Sequence, residues 1–201
     1  MHSISSKRKS NEYVNLSLTL FGITFVVAVL LALVNFVTSD KITLMKQEKL
    51  EQAMAAVLPD AISFEDVTQN VLNKWDGDTD VLCVQLAKNS SGDTIGYCVE
   101  VAPKGYSDAI DMMVGLNIDG EVTNTSIISL TDTPGIGTQI KEKEFLEQFV
   151  GKSGVLTAVK GNSTRAEEVA LISGASYSSG GFTKGVNAAL QVYMIIAKEG
   201  V

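Results

Sequence analysis

The chain is poor in the residues on which most polar catalysis depends. Its 201 residues hold one histidine, His2, at the very start. A Ser/His/Asp or Cys/His nucleophilic centre and a histidine-based zinc site therefore lack their central residue. The two cysteines, Cys83 and Cys98, are too few for an iron–sulfur cluster, which is generally held by about four thiolates. No catalytic side chain and no metal-ligand set is assigned. Positive charge is scarce as well: 16 Lys plus Arg stand against 23 Asp plus Glu, a net of -7. Binding a phosphate backbone needs a clustered basic surplus, so nucleic acid is excluded as a partner. With only 3 prolines and 45% hydrophobic residues, the composition is that of a chain with a buried core rather than a disordered one.

Charge is missing altogether from Tyr13 to Ser39, a run reading YVNLSLTLFGITFVVAVLLALVNFVTS. As a helix it would extend ~40 Å, enough to cross a bilayer. A cleaved signal peptide would have an apolar region of about 7 to 15 residues closed by a small-residue cleavage site, so this longer run reads as a retained anchor. Lys7, Arg8 and Lys9 precede it, whereas both Asp40 and Lys41 follow it. The positive-inside rule then predicts a single-pass protein of the cell (inner) membrane, N-terminus cytoplasmic and the remainder extracytoplasmic. Beyond the anchor stand 13 basic and 22 acidic residues, so the exported part is distinctly acidic at -9. The expected organisation is a cytoplasmic tail at 1–12, a transmembrane helix at 13–39, a juxtamembrane helix and connection at 40–78, and an extracytoplasmic domain at 79–201.

After the anchor, Ile42, Met45, Leu50, Met54, Val57 and Leu58 recur at mostly helical spacings up to Pro59, which predicts a packing helix. From Asp80 the period changes to two: VLCVQLA, the turn KNSSGD, then TIGYCVEVA. Centring that turn near Ser90 and Ser91 pairs Leu82 with Val99, Val84 with Tyr97 and Leu86 with Ile95, and sets Cys83 opposite Cys98. A cross-strand disulfide is then conceivable, and two reduced, packed thiols are the other reading. A second hairpin, AIDMMVGLNI and EVTNTSIISL, flanks Asp119-Gly120, a pair suited to a tight turn. KEKEFLEQFVGK, with Phe145, Leu146 and Phe149 on one face, and FTKGVNAALQVYMIIAKEG read as helices covering the four-stranded antiparallel sheet. The predicted fold class is α+β.

Three motifs are weighed for chemistry. Gly151-Lys152-Ser153 imitates the end of a phosphate-binding P-loop, but Leu146 occupies the place of the required upstream glycine. Asn89-Ser90-Ser91, Asn124-Thr125-Ser126 and Asn162-Ser163-Thr164 match glycosylation acceptors, a pattern common by chance. Ser173-Gly174-Ala175-Ser176-Tyr177-Ser178-Ser179-Gly180-Gly181 combines small side chains with hydroxyls just ahead of the last helix. Such a loop reads either as a Ser/Gly-rich cap and turn or as a place where an anion meets backbone amides and a helix N-terminus.

The Ser-Gly-Ala-Ser run resembles the flavinylation motif of the FMN-binding subunits of Rnf and sodium-pumping NADH:quinone oxidoreductase complexes, the RnfG/NqrC family. VLPDA, GYCVEVAPKGY, IDMMVGLNIDGEV, TDTPGIG and FLEQFVGK follow the same family's pattern and order, and the short exported domain is more similar to the RnfG branch. The resemblance implies an antiparallel-sheet FMN-binding domain behind a single transmembrane helix. It also implies covalent FMN, joined as a phosphoester to Ser176 and installed from FAD by a separate flavin transferase, with Ser173, Gly174 and Ala175 completing the motif. Thr133, Pro134 and Gly135 are expected to form a second wall beside the flavin. The implied function is that of an electron carrier in an ion-translocating ferredoxin:NAD+ oxidoreductase, with the other subunits of the Rnf membrane complex as partners. The alternatives are NqrC, the FMN-carrying member of the sodium-translocating NADH:quinone reductase, and a non-redox, membrane-anchored binding module. The chain departs from the family pattern in having Ala170 where an Asp commonly opens the motif, and Ser176 where Thr is commoner. A serine hydroxyl without an adjacent base is a weak nucleophile, which agrees with attachment by an external enzyme.

Overall fold

The computed structural model describes the backbone of residues 4–199, and their side chains apart from 4–12, 40 and 199. The side chains of Lys7, Arg8 and Lys9, on which the orientation argument rests, lie outside the described residues. The chain divides into two compact units, residues 1–48 and 49–201. In the first, the apolar residues from Tyr13 to Val37 are exposed all round the helix α1 (Ile4–Val57). A helix with no polar face suits lipid, and its hydroxyls fit the same solvent. Thr19 and Thr24 donate to the carbonyls of Asn15 and Leu20, four residues back, at 2.8 and 3.0 Å.

The second unit is built on a five-stranded antiparallel meander. β1 (Ser63–Asp66) leads through the short helix α2 (Thr68–Leu72) to β2 (Asp80–Lys88), β3 (Thr94–Ala102), β4 (Ile110–Asn117) and β5 (Val122–Leu130). The order in the sheet is the order in the chain, so each strand pairs antiparallel with the one before it. Past β5 come a three-ten turn (Gly137–Lys141), the one-turn helix α3 (Lys143–Leu146), a parallel pair of short strands, β6 (Thr157–Val159) and β7 (Glu168–Ala170), and finally α4 (Ser176–Glu199).

The alternation of side chains sorts the sheet into two apolar faces. Val84, Val99, Met112, Val114 and Leu116 share one core with Phe182, Val186, Ala189 and Leu190 of α4. Phe145 and Phe149 stack around Phe182 at centroid distances of 5.4 and 5.1 Å. On the opposite face Ala87, Cys98 and Met113 pack against Ala53, Met54, Val57 and Leu58. The last turns of α1 are therefore core. Gly115 makes the approach possible, because a Cβ there would stand 2.7 Å from that of Val57. Thr123 Oγ1 and Asn124 Nδ2 donate to the carbonyls of Val57 and Ala56 at 2.7 and 3.1 Å, satisfying acceptors that a helix end leaves open. Asn124 is thereby committed to the fold.

Four expectations need correction. The sheet has five strands rather than four, the additional one being β1, Ser63–Asp66, in the stretch expected as connection. Val84 pairs with Val99, Leu86 with Tyr97 and Cys98 with Gln85, a register two residues from the expected one. Cys83 faces Glu100, both thiols are free, and the two cysteines are diagonal rather than opposed. KEKEFLEQFVGK is not one helix: α3 stops at Leu146 and a three-ten turn runs over Glu147–Phe149, although Phe145 and Phe149 are buried as anticipated. The last helix begins at Ser176, not after Gly181.

Candidate functional site

Two turns of the same design meet beside the start of α4. In Ile172-Ser173-Gly174-Ala175 the Ala175 amide donates to the Ile172 carbonyl at 3.0 Å, with Gly174 at φ +85. In Thr133-Pro134-Gly135-Ile136 the Ile136 amide donates to the Thr133 carbonyl at 3.2 Å, with Gly135 at φ +77. Each carries glycine at the third position, where a type II turn requires positive φ, and Pro134 presets the second. The first intrahelical bond of α4 runs from the Ser179 amide to the Ala175 carbonyl at 2.9 Å. The amides of Ser176, Tyr177 and Ser178 precede it and are left for an external acceptor.

The four serines of this segment differ sharply. Ser179 is fully buried; its hydroxyl donates to the Ala175 carbonyl at 2.8 Å and accepts the Ile172 amide at 3.2 Å. Ser178 is 1% exposed and donates to Asp132 Oδ2 at 2.5 Å. Ser173, at the corner of its turn, and Ser176, in the first turn of α4, are exposed. Of these two, Ser176 lines a cleft.

That cleft encloses about 720 Å³ between α4 and the β3–β4 connection, with Lys104, Lys184 and Gly180 beside Ser176. Close contact between the two elements depends on Gly181, since a Cβ there would lie 2.3 Å from the Lys104 carbonyl oxygen. A second cleft of about 370 Å³ opens toward the other turn and is lined by Asp132, Thr133, Ile136, Gly174 and Ala175. Tyr106 and Tyr177 line both, their rings edge to face at 6.0 Å. Asp132 joins three segments: besides Ser178, its carboxylate accepts the Thr133 amide at 3.0 Å and the Ser107 hydroxyl at 3.5 Å. Gly137 leaves room for it, as a Cβ there would fall 2.3 Å from Asp132 Cγ.

The structure thus brings Ser176, Gly174, Ala175 and Thr133 to one pair of clefts, while Ser173, Pro134 and Gly135 shape the turns without lining either. Sequence reasoning missed Asp132, Tyr106, Tyr177, Lys104 and Lys184. The acid absent at Ala170 is not replaced by Glu168, whose carboxylate turns back to accept the Thr164 amide at 2.8 Å, the Thr164 hydroxyl and the Arg165 amide. Those bonds, the Thr164 amide first, hold Glu168 below its ordinary carboxylate value. Elsewhere, burial pushes the Cys98 thiol up to about 12 and raises Cys83, so neither is poised as a thiolate.

Comparison with known proteins adds three findings. The FMN-binding domain family matches residues 105–191, which include both turns and the start of α4. The G subunit of the Na(+)-translocating ferredoxin:NAD(+) oxidoreductase complex of Acetobacterium woodii is 34% identical over 91% of this chain and 92% of its own length. The G subunit of the ion-translocating oxidoreductase complex of Methanosarcina acetivorans is 32% identical over 95% and 98%. Among solved structures, NqrC of Shewanella oneidensis superposes with a TM-score of 0.51 at 19% identity, covering 71% of this chain and 73% of that one. The C subunit of the Na(+)-translocating NADH-quinone reductase of Parabacteroides distasonis gives 0.51 at 22% identity, covering 67% and 76%. At such identities these two establish a shared fold.

Proposed function

The chain belongs to the family of G subunits of ion-translocating ferredoxin:NAD+ oxidoreductase complexes, and we propose that it serves there with FMN held covalently on Ser176. It is a membrane-anchored flavoprotein that carries electrons within a multisubunit oxidoreductase. The finer reading is that a flavin transferase joins the ribityl phosphate to the Ser176 hydroxyl, outside the membrane, with the basic tail kept in the cytoplasm and residues 79–201 as the exported domain.

The groups around the clefts fit FMN. Free amides at a helix start, two lysines and an exposed hydroxyl suit its phosphate, while Ile136 and the two tyrosine rings suit an aromatic ring system. FMN supplies the redox chemistry when bound, taking up electrons and passing them on. The protein's own part is to place and enclose it. Pro134 and the Gly135 turn stiffen one wall, Asp132 ties that wall to α4 through Ser178, and Gly174, at φ +85, forms the turn that leads into Ser176. The absence of histidine among residues 3–201 leaves no base of the usual kind to activate Ser176, consistent with an external transferase.

The observation that carries the reading is the contrast among the serines: the Ser178 and Ser179 hydroxyls are buried and committed, whereas Ser176 is exposed at the start of α4 and lines a cleft. The test is intact mass and flavin fluorescence in a denaturing gel on protein made beside an active transferase. Ser176→Ala is expected to lose the covalent flavin and Ser176→Thr to keep it. An alanine variant that remained fluorescent, or a peptide map placing the flavin on another serine, overturns the assignment.

A further inference from the structure

FMN has two unlike ends, a phosphate and an apolar ring system, and the two clefts that share Tyr106 and Tyr177 are unlike in the corresponding sense. Both lysines that border the site, Lys104 and Lys184, line the cleft of Ser176. Among the described residues neither makes an ion pair, although Lys184 also borders a further cleft lined by Asp76 and Asp78. The cleft on the other side of the tyrosines contains no lysine or arginine in its lining; it offers the Asp132 carboxylate and exposed Ile136 instead. In a chain that is acidic overall, two lysines on the cleft of Ser176 make an unusual local field.

We propose that Lys104 and Lys184 seat the flavin phosphate, fixing its orientation so that the ring system crosses the Tyr106–Tyr177 pair into the cleft beside Thr133. The proposal rests on FMN being this site's cofactor and extends it to two lysines to which the sequence reading assigned no role. Geometry supports it in two ways. Ser176, Gly180 and Lys184 follow at intervals of four, so they form one stripe along α4, with Lys184 ~12 Å beyond Ser176. Gly180 has only Leu171 Cδ2, at 3.8 Å, near its missing Cβ, so no side chain of the stripe stands between Ser176 and Lys184. Lys104 approaches from the opposite wall, its backbone pressed on Gly181. The reverse placement would set the phosphate beside the Asp132 carboxylate and leave both ammonium groups beside the ring, which the charges disfavour.

The experiment separates the phosphate contact from covalent attachment. Full-length Ser176→Ala protein in detergent is titrated at low ionic strength with FMN and with riboflavin, which lacks the phosphate. The same titrations are run with Lys104→Gln and Lys184→Gln added singly and together. Tryptophan fluorescence of the single Trp75 verifies the fold of each variant. The expected result is a preference for FMN over riboflavin of about tenfold, the scale that two solvent-exposed charge pairs and amide donors support. The preference should fall to within about twofold in the double lysine variant and weaken with added salt. No preference for FMN in the Ser176→Ala background, or a preference that survives loss of both lysines, overturns the proposal. Flavin found on a different serine would instead refute the Ser176 assignment and leave this phosphate test standing.

Discussion

Replacing Asp132 with alanine tests whether the wall beside Thr133 is held to α4 as described. Ser178, 1% exposed, donates to Oδ2 at 2.5 Å, so removing the carboxylate strands a buried hydroxyl at the edge of the second cleft. A hydrogen bond to an ionised group contributes about 1.5–3 kcal/mol, and stranding its buried partner belongs to the same cost. The second bond, from the Thr133 amide, is exposed and exchanges for water with little loss. The expected destabilisation is therefore about 2–3 kcal/mol. Ser178→Ala should cost less, about 1 kcal/mol, because half-buried Asp132 keeps the Thr133 amide and gains solvent. If the two side chains act through each other, the double variant should be little worse than Asp132→Ala alone, a coupling of about 1 kcal/mol or more. Urea unfolding of the full-length protein in detergent reads this through Trp75, the single tryptophan, whose indole donates to the Thr79 carbonyl and which packs on the main core. Strictly additive effects, or a loss below about 0.5 kcal/mol for Asp132→Ala, would refute the claim that this bond braces the site.

Gly137→Ala should destabilise by about 1–3 kcal/mol by driving a methyl group into Asp132, and should cost less, but not nothing, once Asp132 is already alanine, because the Cβ that remains would stand 2.8 Å away; the same urea titration reports both. The Cys98 thiol, raised to about 12 from 9.0, favours the folded state while it stays protonated. That contribution is complete below the unfolded thiol's value and is lost as pH rises from about 9 toward 12, so the wild-type urea midpoint should fall in that window more steeply than that of Cys98→Ala. Mild oxidation should leave Cys83 and Cys98 unlinked in folded protein, since their diagonal placement separates the α-carbons by roughly 7–8 Å, beyond what a disulfide spans without backbone movement; a mass two hydrogens lighter in the native protein would contradict the register. Protease added to intact spheroplasts should remove the domain, and protection until lysis would reverse the membrane orientation.

The hairpins and their failures show what the sequence could convey. Asp119-Gly120 located the β4–β5 turn, and Gly120 indeed adopts φ +78. The β2–β3 register went wrong by two because an alternating pattern is blind to even shifts: every apolar residue stays on its face. What decides the register is the Asn89 side chain, which accepts the Ser91 and Asp93 amides at 2.9 and 3.0 Å and gathers a five-residue turn, with an irregular step between Ala87 and Lys88. The start of α4 was misplaced for another reason. Gly180 and Gly181 read as loop by propensity, but Gly181 is the contact point with the Lys104 carbonyl and lies inside the helix. Had the helix been drawn from Ser176, the four-residue intervals would have placed Gly180 and Lys184 on the same stripe as Ser176. Lys104 and Asp132 lie within the family-like segments GYCVEVAPKGY and TDTPGIG, but only tertiary packing brings them to the site, and that the local pattern does not convey.

The seating of Ala53, Met54, Val57 and Leu58 on the sheet sets a limit on how this protein can be released from its membrane. A cut after Val57 would not free a finished globule. It would strip the cover from Ala87, Cys98 and Met113, each at most 1% exposed in the intact chain, and leave the Thr123 and Asn124 side chains without the carbonyls they hold. The fragment would carry an adhesive apolar plane on an antiparallel sheet, the kind of surface that drives self-association. Shedding by proteolysis in that stretch is therefore a route to aggregates rather than to a soluble carrier, and a cut that spares the domain must fall on the N-terminal side of Lys49.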